Sequence, residues 1–211
     1  QQIQEEHDFP QALSDTEIPA VAPLKLNQQT LHDYQGFMFA VFPSVGGRSY
    51  EADNLEQLEW VARFLGRIHQ VGKHQPFVAR PTMGLEEYLY QPRQVLAESA
   101  LIPEKVKVSL LPVLDELIQG VEEHWHTNWT PSRLHGDCHP GNILWRDGPM
   151  FVDLDDARNG PAVQDIWMLL QGDRQEQLMQ FDLFIESYSE YADFDQRELA
   201  LIEPLRSMRM V

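Results

Sequence analysis

The densest run of reactive side chains in the chain is His135-Gly136-Asp137-Cys138-His139-Pro140-Gly141-Asn142, and a further carboxylate follows at Asp153. Hard cations such as Mg²⁺ take one or two protein oxygens and leave their remaining positions to phosphate and water. Asn142 and Asp153 are therefore a candidate metal pair. Asp137, on the same loop as Asn142, is a candidate base that accepts the proton of an incoming hydroxyl. Together the three side chains divide the labour as phosphoryl transfer requires.

These residues need a device that brings them together. Asp147-Gly148, between the β-prone runs ILW and MFV, is a tight-turn signal. The hairpin it predicts pins its two ends to each other, so that Asn142 enters and Asp153 leaves at the same end. Around it the pattern is mostly helical. Ile3, Phe9 and Leu13 predict a short amphipathic helix carrying Glu5 and Glu6, ended by Asp15, Pro19 and Pro23. The apolar run GFMFAVF, 36–42, predicts a buried strand that leads into a connector with Pro43, Ser44, Gly46 and Gly47. From an N-cap at Asp53 or Asn54, the positions Leu55, Leu58, Val61, Ala62, Leu65 and Ile68 keep helical spacing up to Gly72. A helical zone follows Gly84, and a second long helix is expected from Pro103 to His126, kinked or broken at Pro112. Beyond the hairpin, PAVQDIWMLLQG, the run from Asp173 to Tyr191 and the segment from Gln196 onward return to helical periodicity. The fold class expected is α+β, a mostly helical domain with one functional hairpin.

Two other readings compete for the loop. His135, Cys138, His139 and Asp137 crowd together as zinc ligands do, but His69, His74, His124 and His126 fall on helices with no evident convergence to complete a site. Cys138 as a nucleophile would need a base and a lowered pKa, and a tucked loop thiol is the simpler reading. Asp155 and Asp156 suit either a second metal or a solvated loop. Trp125, Trp129, Trp145 and Trp167 have apolar neighbours and are assigned to packing.

The 211 residues are 43% hydrophobic, enough for a sizeable core. Acidic side chains outnumber basic ones 33 to 16, a net charge of −17 that repels nucleic acid and anionic lipid. Cys138 is the single cysteine and has no intramolecular disulfide partner. Without an apolar run of membrane-spanning length, the expectation is a cytoplasmic, monomeric protein with no nucleic-acid or membrane partner. The sequence opens without Met in a run that already reads as helix and stops inside ALIEPLRSMRMV, so a longer parent protein is expected.

HGDCHPGNILW followed by FVDLDDARNGPAVQDIWMLL resembles the catalytic loop and metal-binding strand of the aminoglycoside-phosphotransferase and choline-kinase-like branch of the protein-kinase-like superfamily. Within it, EEHDF, FAVFPSVGGR and LHGDCHPGNILWRDGPMFVDLDDARNGPAVQD are most similar to the bacterial stress response kinase A family, which phosphorylates protein serine and threonine. The resemblance implies a bilobal fold, with a truncated small lobe and interlobe link over residues 1–43 and a mainly helical large lobe over 44–211. It implies ATP and Mg²⁺ as cofactors and protein Ser/Thr hydroxyls as acceptors, with a small alcohol such as an aminoglycoside, choline or homoserine as the alternative acceptor and an inactive binding fragment as the further alternative. Asp137 would be the catalytic base, Asn142 a Mg²⁺ ligand, and Asp153 the Mg²⁺ ligand that bridges to the ATP phosphates. His135 would support the loop by hydrogen bonding, and Asp165 would hold its backbone. The backbone around Val41 and Phe42 would meet the adenine edge. The helix glutamate that pairs with a phosphate-binding lysine would be Glu6 by its spacing to Pro19, with Glu5 the near competitor. The pattern departs from the family in one respect: no Gly-rich phosphate loop and no preceding lysine are found, since Lys25 follows the helix it ought to precede.

Overall fold

A computed structural model describes residues 1–125 and 132–202. The expected helix end at His126, Trp129 and the final stretch from 203 lie outside the described residues. Helix α1 (Gln2–Asp15) buries Phe9 and Leu13. Ile3 stays 44% exposed, so the apolar stripe is shorter than its spacing predicts.

The run read as a buried strand is instead an exposed hairpin of β1 (His32–Tyr34) and β2 (Phe37–Phe39). Gln35 and Gly36 turn it with φ of 55° and 84°, the left-handed pair that suits the twist of a two-residue hairpin. Phe37 is 77% exposed because nothing among the described residues packs over this ribbon. An apolar run reports that a segment can be covered, not that something covers it.

The second hairpin forms where Asp147-Gly148 predicts it. Strands β3 (Arg48–Ser49), β5 (Ile143–Trp145) and β6 (Pro149–Phe151) make one antiparallel sheet in the order β3-β5-β6. The chain leaving α1 runs beside β6, with Phe151 N–H donating to Pro19 O and Val21 N–H to Phe151 O, both at 2.9 Å. The expected small-lobe residues are thereby tied directly to the strand that leads to Asp153.

Helix α2 (Leu55–His74) is the pillar of the fold. Asn54, not Asp53, caps it by accepting from Gln57 N–H at 3.2 Å. Leu58, Val61, Ala62, Leu65 and Ile68 are buried as the spacing requires, each larger side chain contributing roughly 1.5–3 kcal/mol. Leu55, at the mouth of the helix, is exposed. One face of α2 packs on α6 (Arg174–Tyr188), closely enough that a Cβ on Gly66 would lie 2.7 Å from Tyr188 O. Its C-terminal end packs on β4 (Ser132–Leu134), which pairs with β7 (Arg158–Gly160). Phe9, Leu13 and Ile18 share one core with α2 and α6.

A π-helical turn (Glu86–Tyr90), α3 (Gln91–Glu98) and α4 (Glu104–His124) form a helical annex with its own small core around Met83, Leu89, Ile118, Val121 and Leu201. Pro112 lies inside α4 without ending it. Arg93 forks onto Asp115 with bonds of 2.8 and 2.9 Å, joining α3 to α4. The last helical stretches appear as α5 (Val163–Ile166), α6 with an Asp173–Glu176 capping box, and a short turn at Gln196–Leu201. No helix among the described residues is long and apolar enough to cross a membrane.

That last turn buries Glu198, which accepts from Val163 N–H at 2.9 Å. Burial pushes its carboxyl from an ordinary 4.5 up to about 7. The folded chain therefore keeps a proton that the unfolded chain releases, and stability falls as pH rises from 4.5 through 7. Urea titrations at pH 5 and 7.5 should show wild type losing about 2 kcal/mol more than Glu198→Gln over that interval. Equal losses would show that Glu198 does not carry the dependence.

Candidate active site

Strand β4 delivers the chain into the loop 135–142, and a single buried carboxylate sets the start of that loop. Asp165, at the base of α5 with no exposed surface, accepts from His135 N–H at 2.8 Å on Oδ2 and from Gly136 N–H at 2.8 Å on Oδ1. His69 Nε2 reaches Oδ2 at 3.0 Å, and His69 Nδ1 meets Tyr188 OH at 2.8 Å. Burial works to raise the Asp165 pKa, yet the bonds from His69 and Gly136 and the charge of His135 hold it below the ordinary value. Gln164 Nε2 adds a bond to Gly136 O at 3.1 Å. Gly136 has φ +87°, and a Cβ there would sit 2.1 Å from Asp156 O, so only glycine fits between the two loops.

From this anchor the loop turns toward the hairpin. Asn142 Nδ2 donates to Asp137 O at 3.0 Å, which leaves its Oδ1 for another partner. His139 Nδ1 accepts from Gly141 N–H at 2.9 Å, so the neutral ring carries its proton on Nε2, which lies 3.5 Å from Asp137 Oδ2. At the far end Val152 N–H donates to Asn142 O at 3.0 Å, and His135 Nε2 meets Val152 O at 3.0 Å. Asn142 and Asp153 thus stand at one end of the ribbon, next to the loop that carries Asp137. Asp153 is held at φ 63°, a left-handed conformation that is uncommon for residues with a Cβ and that aspartate tolerates better than most.

A cavity of about 470 Å³ opens beside this end. Glu6 and His7 of α1, Phe42 and Pro43 of the link, and Val152 to Asp155 line it. Val41 is not part of the lining, and its carbonyl accepts from Leu24 N–H at 2.7 Å. The two glutamates of α1 have separate tasks. Glu5 turns away and accepts the backbone N–H groups of Val78, Ala79 and Arg80 at 2.9–3.1 Å. Glu6 faces the cavity and pairs with Arg80 at 2.7 Å.

The donor set suits a hard cation. Asp155 is pushed above its ordinary pKa by burial and by the neighbouring Asp153 carboxylate, a like-charged pair that a divalent ion would relieve. The zinc alternative finds no support: the Nε2 of His135 is engaged, Cys138 is fully buried, and no three His, Cys, Asp or Glu side chains among the described residues are grouped to hold a metal. Burial pushes the Cys138 thiol well up, and it is a packing residue. Arg80 gave no local signal in the sequence. Glu5 was named there only as the competitor of Glu6, and its hold on the loop 78–80 was not foreseen. His69 gave a signal: it falls on α2 one turn after Leu65, on the buried side. His139 was weighed as a zinc ligand and as a base for Cys138, not as a partner of Asp137.

A helical large lobe with a hairpin bearing Asn and Asp next to an Asp-bearing loop defines a protein-kinase-like phosphotransferase fold. The phosphotransferase enzyme family model matches residues 1–202, and the chain belongs to that family. It is 60% identical to stress response kinase A of Escherichia coli K12 and 58% identical to the serine/threonine protein kinase RdoA of Salmonella typhimurium LT2, each over 210 residues. The match takes in all of this chain but 64% of either relative, so the chain spans a little under two thirds of their length. Among solved structures, an amicoumacin kinase in complex with AMP-PNP, Ca²⁺ and Ami superposes with a TM-score of 0.75 at 22% identity, over 98% of this chain and 67% of that one. A microcompartment-associated aminopropanol kinase gives 0.72 at 17% identity, over 99% and 70%.

Proposed function

We propose that this chain carries the catalytic and metal side of an ATP- and Mg²⁺-dependent kinase that phosphorylates serine and threonine of proteins, acting as a cytoplasmic monomer. The observation that carries the reading is the closed hairpin end, where the Val152 N–H to Asn142 O bond sets Asn142 and Asp153 side by side next to the Asp137 loop. In this reading Asp137 accepts the proton of the acceptor hydroxyl, and the Nε2–H of His139 steadies the carboxylate. Asn142 Oδ1 and the Asp153 carboxylate hold Mg²⁺, which when bound neutralises charge on the phosphates. The link around Val41 and Phe42 takes the adenine, with Phe42 at the cavity and the Val41 carbonyl already accepting one bond. Glu6 faces the phosphate side. The acceptor class rests on the relatives' names, and the solved neighbours, kinases of small molecules, speak for the fold alone.

The test is γ-phosphoryl transfer from labelled ATP by the full-length gene product, with protein and small amino-alcohol acceptors in parallel. Label should appear on protein serine or threonine and vanish with Asp153→Asn. Label confined to a small alcohol would replace the protein acceptor, and label that survives Asp153→Asn would overturn the metal assignment.

A further inference from the structure

The metal-bearing segment has a second anchor that the catalytic reading does not use. Arg80 lies on the loop after α2, and its side chain is only 8% exposed. The guanidinium donates through Nε to Ala157 O at 2.5 Å, through one terminal nitrogen to Asp155 O, and through the other to Glu6 Oε2 at 2.7 Å. It thus joins two carbonyls of the segment 153–157 to the cavity-facing carboxylate of α1. The loop bearing Arg80 is itself fixed. Glu5 binds the backbone N–H groups of Val78, Ala79 and Arg80, and Asn159 holds both Phe77 N–H and Phe77 O, at 2.8 and 2.9 Å. Met83 N–H to Asn159 O at 2.7 Å and Asn159 N–H to Pro81 O at 3.0 Å close its other end.

We propose that Arg80 is the positioning residue of the metal strand: a preorganised fork that fixes the carbonyls of Asp155 and Ala157 so that the Asp153 carboxylate is presented to the cation. The proposal deepens the metal reading of Asp153 and rests on it. Three observations combine. Asp153 has a left-handed backbone, sparsely populated for a residue with a Cβ, and contacts on its flanks favour it over the alternatives. The His135 bond to Val152 O holds the near flank, and the Arg80 fork holds the far one together with the Ala157 N–H to Leu154 O turn and the Arg158 Nε bond to Asp156 O. A planar guanidinium alone among side chains offers donors in the fixed directions needed to serve two carbonyls and a carboxylate at once. Arg80 also sets a positive charge beside Glu6 and Asp155, which offsets part of the repulsion among these carboxylates.

The experiment measures Mn²⁺ binding by electron paramagnetic resonance in the presence of ADP, with adenosine affinity by calorimetry as a metal-independent control. The full-length gene product is compared with Arg80→Met, Arg80→Lys and Asp153→Asn. Loss of an outer-shell partner typically weakens metal affinity at least about tenfold, and that is the loss expected in Arg80→Met, with adenosine affinity unchanged. Arg80→Lys keeps charge and bulk and guards against a misfolded Met variant. It should lose a similar factor, because one ammonium cannot span both carbonyls and Glu6. Mn²⁺ affinity within twofold of wild type in either folded variant overturns the proposal, as does a matching loss of adenosine affinity in both, which would mark general collapse. Asp153→Asn separates the two levels: undiminished Mn²⁺ binding there would sink the metal reading itself.

Discussion

Asp137→Asn is expected to lower kcat for phosphoryl transfer about a thousandfold, within the range lost when a positioned general base is removed. The variant tests chemistry and not folding because the loop around residue 137 is held by main-chain atoms. Asp137 O accepts from Asn142 Nδ2 at 3.0 Å and from His139 N–H at 2.8 Å, and asparagine keeps both. What it loses is the carboxylate that faces His139 Nε2 and that, in the proposed reaction, takes the acceptor's proton. KM for ATP should therefore stay within a few-fold, since a group used only in the transition state changes kcat and kcat/KM together. Steady-state kinetics of wild type and variant, with thermal melts alongside, decide the matter. A variant that retains a tenth of wild-type kcat would remove Asp137 from the role of base.

The parts of this molecule that were legible in sequence are those whose signal is local. Asp147-Gly148 announces its turn because left-handed backbone is cheap for that pair, and the turn then determines which residues stand at the ribbon's end. Asn54 and the apolar positions of α2 are read the same way, from a cap and a period. The failures have a common physical cause. Whether Phe37 to Phe39 are covered depends on what lies over them, and composition does not contain that fact. Glu5 and Glu6 are adjacent on one helix, and only the position of the loop 78–80, more than seventy residues away, gives one a structural task and turns the other to the cavity. Arg80 sits between two prolines' reach in a run that reads as plain loop, yet its partners lie on α1 and on the segment after Asp153. Long-range polar contacts of this kind leave no periodicity.

Asp165→Asn carries the second large expectation: a loss of about 3 kcal/mol in folding stability, together with a fall in kcat although residue 165 touches no substrate in the proposed reaction. The buried donors here outnumber what an amide oxygen can accept. The two Asp165 oxygens receive three N–H groups, from His135, Gly136 and His69, all within 3.0 Å and all shielded from water. An asparagine has one oxygen. If its NH₂ takes the Oδ1 position it confronts Gly136 N–H; if it takes the Oδ2 position it confronts His135 N–H. The imidazole can shift its proton to Nδ1 and donate to Tyr188 OH instead, so His69 adapts, but a backbone N–H has no second tautomer. In either orientation one backbone donor is buried against another donor. The chain relieves that conflict by moving the loop, and Gly136, wedged against Asp156 O, leaves it no room to move without displacing the Asp153 to Ala157 segment as well. Asp137 and the segment that carries Asp153 then shift together. Denaturant unfolding and kcat measured on the same samples test this: stability within 1 kcal/mol of wild type, or lowered stability with unchanged kcat, would show that Asp165 supports the fold without setting the geometry of the loop.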